Sequence, residues 1–305
     1  MTALWAQAIA DGLLTGAVVA LGAIGISFTM QIMRFANFAH AELLTWGGYA
    51  ALVVVGLIGS GAPSLGLSFG LGLWAAAALA ALFTGVAAWG IDRLVFQRLR
   101  AKGAHHLTLV FASFGLGLVM RHLVVLFWGH ESRFYTQELQ MAQEVLPGVR
   151  VLPDQVFILA LTLVIVLALH LWLTHSRTGV AMRATAESPA LAQACGIEVE
   201  DVIRNTWLLG GALAALAGIF VGLTPQLNPE NGGSLLLALF AAAMLGGIGS
   251  LPGAVVGGLL VGLAENVALL FVSPGYKQAT SFVLLLLVLL VRPQGLFGER
   301  KEGER

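Results

Sequence analysis

Apolar residues along this chain gather into long runs divided by short polar stretches. About 20 helical residues cross about 30 Å of hydrocarbon, so runs near that length predict membrane-spanning helices. Nine such runs stand at roughly 8–28, 35–58, 65–90, 107–128, 155–174, 205–224, 234–249, 253–272 and 278–292. The seventh is short enough for a re-entrant or broken segment, and a different division of the first 60 residues or of 234–253 gives eight or ten spans. The predicted fold is all-α: a polytopic helical membrane protein of about 8–10 spans, forming a single transmembrane domain over 1–305.

The longest polar interruption in the second half, 175–204, carries its own punctuation. Ser188 before Pro189 reads as an N-cap and first helical residue, and Gly196 as the residue that closes a short helix from about Pro189 to Cys195. Thr178–Glu187, rich in Ala, predicts a second short helix before it. The acidic run Glu198–Asp201 suits the N-terminus of the span that follows.

Composition agrees with the runs. Hydrophobic residues make up 58% of the chain and charged residues 10%, against about a quarter charged in soluble domains. The 16 basic and 16 acidic residues balance, so net charge points to no nucleic-acid partner. The single cysteine, Cys195, excludes an intramolecular disulfide and is expected as a packed residue on a helix. The first basic residue is Arg34, which argues against a cleaved signal peptide, and Met1–Thr29 reads as the first span.

Charge placement sets the orientation, because cytoplasmic loops retain Lys and Arg. Arg93, Arg98, Arg100 and Lys102 oppose Asp92 alone, and the tail carries Arg292, Arg300, Lys301 and Arg305, so both regions are assigned to the cytoplasm. Glu131, Glu138, Glu144 and Asp154 outnumber Arg133 and Arg150, which places that loop outside. Nine spans then put the N-terminus outside, and Arg34, the loop 175–204 and the C-terminus inside.

Glycine is abundant, with 38 in the chain, and recurs at spacing four: Gly12 and Gly16, Gly66 and Gly70, Gly218 and Gly222, Gly249, Gly253 and Gly257, Gly258 and Gly262. In lipid, small residues let helix backbones approach closely, so these pairs predict tight packing. The run 246–262 adds a proline at a helix-to-helix joint, whose free backbone groups must be buried by protein or reached by water.

Ionisable groups at membrane depth are costly and are functional candidates. Glu42 lies eight residues past Arg34, about 12 Å into the bilayer if that stretch is helical, and Asn37, His40 and Thr45 share its segment. Glu265, with Asn266 beside it, lies near the middle of the eighth span. Arg121 and His122 fall in the outer half of the fourth, where Arg121 is expected to snorkel outward. Glu42 and Glu265 either line a polar translocation route or tether helices, and His40 alone reads as a packing histidine.

The sequence holds no HExxH, CxxC or GxSxG, and none of Lys102, Lys277 and Lys301 sits in a phosphate-binding loop. His105 and His106, and His170 and His175, lack metal-site spacing. A membrane-embedded enzyme is thereby disfavoured, and any driving energy must come from an ion gradient or a partner.

Four separated stretches, NFAHAELLTWGGY, TGVAMRATAESPALAQACGIEVEDV, GGALAALAGIFVG and GGSLLLALFAAAMLGGIGSLPGAVVGGLLVGLAENV, resemble the permease subunits of the high-affinity branched-chain amino acid ABC importers. The resemblance runs from about residue 10 to the terminal RPQGLFG and is closest to the type with an NFAHGE-like motif, from which Ala41 departs. It implies a bacterial inner-membrane subunit paired with a second, copied or related permease, two cytoplasmic ATPases that use ATP and Mg, and a periplasmic solute-binding protein. It also implies that 175–204 holds a coupling helix docked on the ATPase, with Gly179, Arg183, Ala186, Ser188, Pro189 and Gly196 matching the family pattern. Asn37, His40, Glu42, Glu265 and Asn266 are then candidates for the translocation pathway. Branched-chain amino acids are the expected solutes, with urea and short amides close behind. The alternative is a stand-alone channel or gradient-driven carrier using Glu42 and Glu265 as proton sites and broken helices near 228–253, with NPE at Asn228–Glu230 as weak support for an aquaporin-like pore.

Overall fold

A computed structural model describes residues 2–63, 66–136, 140–224, 226–292 and 294–298. Glu138, Arg300, Lys301 and Arg305, used above for orientation, lie outside them.

Among the described residues eight helices are long and apolar enough to cross a membrane, joined by one shorter apolar helix. The order is α1 (Thr2–Met33), α2 (His40–Ile58), α3 (Leu71–Ile91), α4 (Gln97–Ala101), α5 (His106–Trp128), α6 (Pro153–His175), α7 (Arg177–Glu187), α8 (Pro189–Ala194), α9 (Val199–Leu223), α10 (Asn231–Gly246), α11 (Leu251–Ala268) and α12 (Lys277–Val291). A π-helical turn, Asp92–Phe96, fuses α3 and α4 into one rod, and Arg100 holds the buried Asp92 carboxylate with two bonds of 2.8 and 3.1 Å. The loop after α5 adds a two-stranded antiparallel hairpin, β1 (Gln143–Leu146) and β2 (Val149–Val151).

The first helix is central: 83% of its apolar window is buried, against 6% for the helix that ends at Val291. Glycine explains why. A Cβ on Gly12 or Gly16 would stand 2.8 Å from the Cα of Leu263 or Leu259, and one on Gly258 or Gly262 would meet Ala20 or Gly16 backbone at 2.5 and 2.4 Å. The spacing-four glycines of α1 and α11 therefore face each other, and the two backbones nearly touch. Gly253 and Gly257 do the same against Gly246 and Ala242 of α10, and Gly218 of α9 lies against Leu44 of α2. The pair Gly66 and Gly70 behaves differently. Both precede α3, Gly66 faces open space in a turn with φ +77°, and Gly70 packs on Ala62 within the same loop. A spacing of four marks a helix contact only where the backbone is helical.

The joint 247–250 shows how non-helical backbone is accommodated here. Gly247 and Gly249 take positive φ of 99° and 88°, and Ser250 caps α11 by accepting from Gly253 N at 3.1 Å. Ser27 of α1 accepts from Gly249 N at 2.8 Å, while Leu296 N and Phe297 N of the C-terminal segment donate to Leu245 and Gly246 carbonyls at 2.8 and 3.1 Å. Protein therefore satisfies this backbone, as non-helical backbone out of reach of water requires. The segment α10 is itself continuous, and at 16 residues it spans about 24 Å.

Candidate functional site

The α1–α2 connection decides the geometry of the first polar set. α1 runs on to Met33, α2 starts only at His40, and 34–39 is not helical. Ser113 of α5 accepts from Phe38 N at 3.0 Å and donates to Ala36 O at 3.3 Å, which sets the break about a third of the way along α5. The six residues 34–39 make bends and a turn: Arg34 is left-handed at φ +56°, Ala39 has helical dihedrals, and His40 N donates to Asn37 O at 3.3 Å. Glu42 then occupies the first turn of α2. No continuous helix runs from Arg34 to Glu42.

Glu42 is 3% exposed and pairs with Arg121, whose Nε donates to Oε1 at 3.0 Å and whose NH2 adds a second, closer bond to the same oxygen. Arg121 thus turns inward rather than snorkelling outward, because α5 crosses α2 at the level of this carboxylate. Its guanidinium also lies on Gly233, where a Cβ would stand 1.9 Å from NH2. Thr45 accepts from Gly232 N at 2.9 Å. Helix α10 consequently begins beside the ion pair, inside the bundle, with its N-terminal amides at that depth. His122, the neighbour of Arg121, is exposed and folds onto Leu118 O at 2.8 Å.

Asn37 and His40 are 0 and 1% exposed, and none of their side-chain nitrogens or oxygens has a hydrogen-bond partner among the described residues; Glu42 Oε2 is likewise unpaired. The His40 ring fills a gap left by Gly25 of α1 and Gly210 of α9, whose Cβ positions would lie 2.6 Å from Nε2 and 3.5 Å from Cε1. Buried polar atoms without partners cost about 1–3 kcal/mol each, so this cluster is expensive to keep for packing alone.

The second set is separate. Glu265 of α11 accepts from Ser281 of α12 and lies 3.8 Å from Lys277 Nζ, while Asn266 donates to Gly262 O of its own helix at 2.8 Å. Glu42 and Glu265 are not brought together, and the partners of Glu265 are those of a tether between α11 and α12. Asn228–Glu230 lies in the turn before α10, where Asn228 Oδ1 accepts from Glu230 N at 3.0 Å.

In the polar loop, α7 and α8 form the expected helical pair. Ser176 caps α7 through Gly179 N at 3.0 Å, and Ser188 caps α8 through Leu191 N at 3.3 Å, with Pro189 in its first turn. Gly196 takes φ +83° and closes the pair. Gly179 lies against Leu173 of α6, where a Cβ would stand 1.9 Å from its carbonyl oxygen, and the Arg183 guanidinium donates to that same oxygen. Ala186, near the end of α7, is half-buried. So α7 lies folded on the bundle, while α8 buries Ala192 and turns Leu191, 65% exposed, outward. Cys195 is exposed, contrary to expectation, because it follows the last turn of α8 on the side away from the bundle. Glu200 and Asp201 occupy the first turn of α9, which starts six residues earlier than the apolar run because a polar turn continues the helix beyond hydrocarbon.

Comparisons with known proteins match almost the whole chain. Residues 8–290 carry the signature of the family described as "Branched-chain amino acid transport system / permease component". The chain belongs to that family. It is 33% identical to the high-affinity branched-chain amino acid transport system permease protein BraD of Pseudomonas aeruginosa, over 98% of this chain and 97% of that one. LivH of Escherichia coli, of the same description, is 32% identical over the same shares. A probable branched-chain amino acid transport permease protein LivH of Methanocaldococcus jannaschii is 27% identical over 94 and 92%. The chain is thus a multi-pass membrane permease component.

Two residues of this geometry escaped the sequence reading. Arg121 is expected to snorkel outward, yet an Arg and a Glu both within spans are a signal for pairing. Arg34 counted only as an orientation marker, and nothing local to it in sequence indicates its partners, which are some 150 residues away.

Proposed function

We propose that this chain is the transmembrane subunit of an ATP-driven importer in a bacterial inner membrane, moving branched-chain amino acids or similar small polar solutes such as urea and amides into the cytoplasm by alternating access. Its partners are a second permease subunit, a copy or a relative, two cytoplasmic ATPases that bind ATP and Mg, and a periplasmic solute-binding protein. The C-terminus and the loop 175–204 face the cytoplasm.

The observation that carries this reading is the form of α7 and α8 in a chain of this family. A capped six-residue helix presents an exposed leucine at the edge of a bundle to which α7 is fastened. A stiff projecting helix transmits a rigid-body shift, whereas a slack loop absorbs it. In this reading Ser188, Pro189 and Gly196 shape the docking helix, and Gly179, Arg183 and Ala186 seat α7 beneath it. The solute route is assigned to the first turn of α2 and the connection before it, which carry Asn37, His40 and Glu42, whose unpaired buried atoms suit a hydrated path. Glu265 acts at its far side by holding α11 to α12, with Asn266 beside it on α11.

The test is reconstitution with the cognate ATPases and a leucine-loaded binding protein. ATP hydrolysis should rise when the binding protein is added, and Leu191→Glu should abolish both the rise and co-purification of the ATPases. Hydrolysis indifferent to Arg183 replacement and to deletion of 189–196 would sink the docking role. Transport by the purified chain alone, responding to pH or potential, would favour a carrier.

A further inference from the structure

Arg34 is the single described non-glycine residue with positive φ, at +56°. It ends α1 and opens the non-helical segment that leads to Asn37, His40 and Glu42. Left-handed backbone is uncommon for a long side chain and is kept only where the surroundings require it. A requirement is visible. The guanidinium reaches over to donate to Ala186 O at 3.3 Å and Glu187 O at 3.2 Å, the last carbonyls of α7. Carbonyls at a helix C-terminus lack intrahelical partners and carry the negative end of the helix dipole, so a cation there is doubly favoured. Glu187 immediately precedes the Ser188 cap of α8.

From this geometry we infer that Arg34 is a positioning residue that links the coupling loop to the solute route, tying the end of α7 to the hinge between α1 and α2. The inference rests on the docking role of α8 given above. Motion delivered to α8 meets α7, which is held at its start by Gly179 and Arg183 on Leu173 of α6 and at its end by Arg34. The α6 contact leads to a helix whose apolar window is 17% buried, whereas Arg34 leads into α1 and α2, buried to 83 and 56%. The Arg34 bond thus ties α7 by hydrogen bonds to the segment that leads into the helix bearing Glu42, alongside the packing of α7 on α1 and α9. Because 34–39 lacks a helical hydrogen-bond ladder, it can change φ and ψ without breaking α1 or α2.

The test uses the full complex in proteoliposomes, comparing Arg34→Gly and Arg34→Lys with the natural chain for leucine uptake, ATP hydrolysis and ATPase attachment. Glycine accepts φ +56° without strain, so Arg34→Gly removes the link while sparing the backbone. It should keep the ATPases attached and hydrolysis within about twofold, yet lower leucine moved per ATP by about tenfold, the usual size of a coupling between sites. Arg34→Lys, which keeps the cation but replaces the planar guanidinium, whose NH2 makes both bonds, with a more strongly hydrated ammonium, should fall between. A loss of folding alone would reduce uptake and hydrolysis together and leave their ratio unchanged. An unaltered ratio in Arg34→Gly, with Leu191→Glu still uncoupling, overturns the link and spares the docking role. If Leu191→Glu leaves the complex and its stimulation intact, the docking role falls and the link with it.

Discussion

The contact between α2 and α9 offers a sharp test of how this bundle is held. A Cβ on Gly218 would lie 1.9 Å from Leu44 O and 2.8 Å from its carbon, both backbone atoms of α2. Ordinary contact begins near 3.4 Å, so Gly218→Ala must push the helices apart by about 1.5 Å at this point. No side-chain rotation can relieve it. Overpacking of that kind costs about 1–3 kcal/mol, and because Leu44 follows Glu42 by two residues it also displaces the polar face of α2. The control is Gly90→Ala or Gly115→Ala, in α3 and α5, where nothing lies within 4 Å of the added carbon. There the exchange should be neutral or stabilise by up to about 1 kcal/mol through helix propensity. Thermal unfolding in detergent micelles, followed by loss of monodisperse protein, reads both. Gly218→Ala should unfold about 5 °C lower and transport poorly, while the controls unfold at or above the natural value. If Gly218→Ala were as stable as the controls, α2 and α9 would not approach as described.

Other consequences follow from single contacts. Removing Arg121 leaves the Glu42 carboxylate buried without its counter-charge, so Arg121→Gln should destabilise by about 1–3 kcal/mol, less than a fully buried pair because the arginine is partly exposed; Glu42→Gln together with Arg121→Gln should recover much of that loss in the same unfolding assay. Ser27→Ala strands the Gly249 amide at the α10–α11 joint and should cost about 1–3 kcal/mol, with new proteolytic cleavage near 247–250 as its local sign. Cys195 is the single cysteine and is exposed, so a membrane-impermeant maleimide should label the natural chain in inside-out vesicles and not in right-side-out ones, and attached ATPases should protect it. Labelling from the periplasmic side would reverse the proposed orientation.

Much of this architecture was legible in the chain because hydrocarbon imposes a length on every spanning helix and leaves no water to satisfy stray backbone. The runs of apolar residues, the paired glycines of α1 and α11, and the Ser-Pro and Gly signals around α8 are local requirements, written locally. The seventh run was recognised as short for the same reason, and α10 indeed spans about 24 Å. What depended on tertiary structure was which polar groups meet. Arg121 finds Glu42 across 79 residues and Arg34 finds α7 across 152, because helix crossings and one non-helical connection bring them level, and no periodicity within either segment records a crossing. Glu42 and Glu265 looked alike as carboxylates at membrane depth. Only the packed bundle divides them, since α10 starts beside one and α12 covers the other.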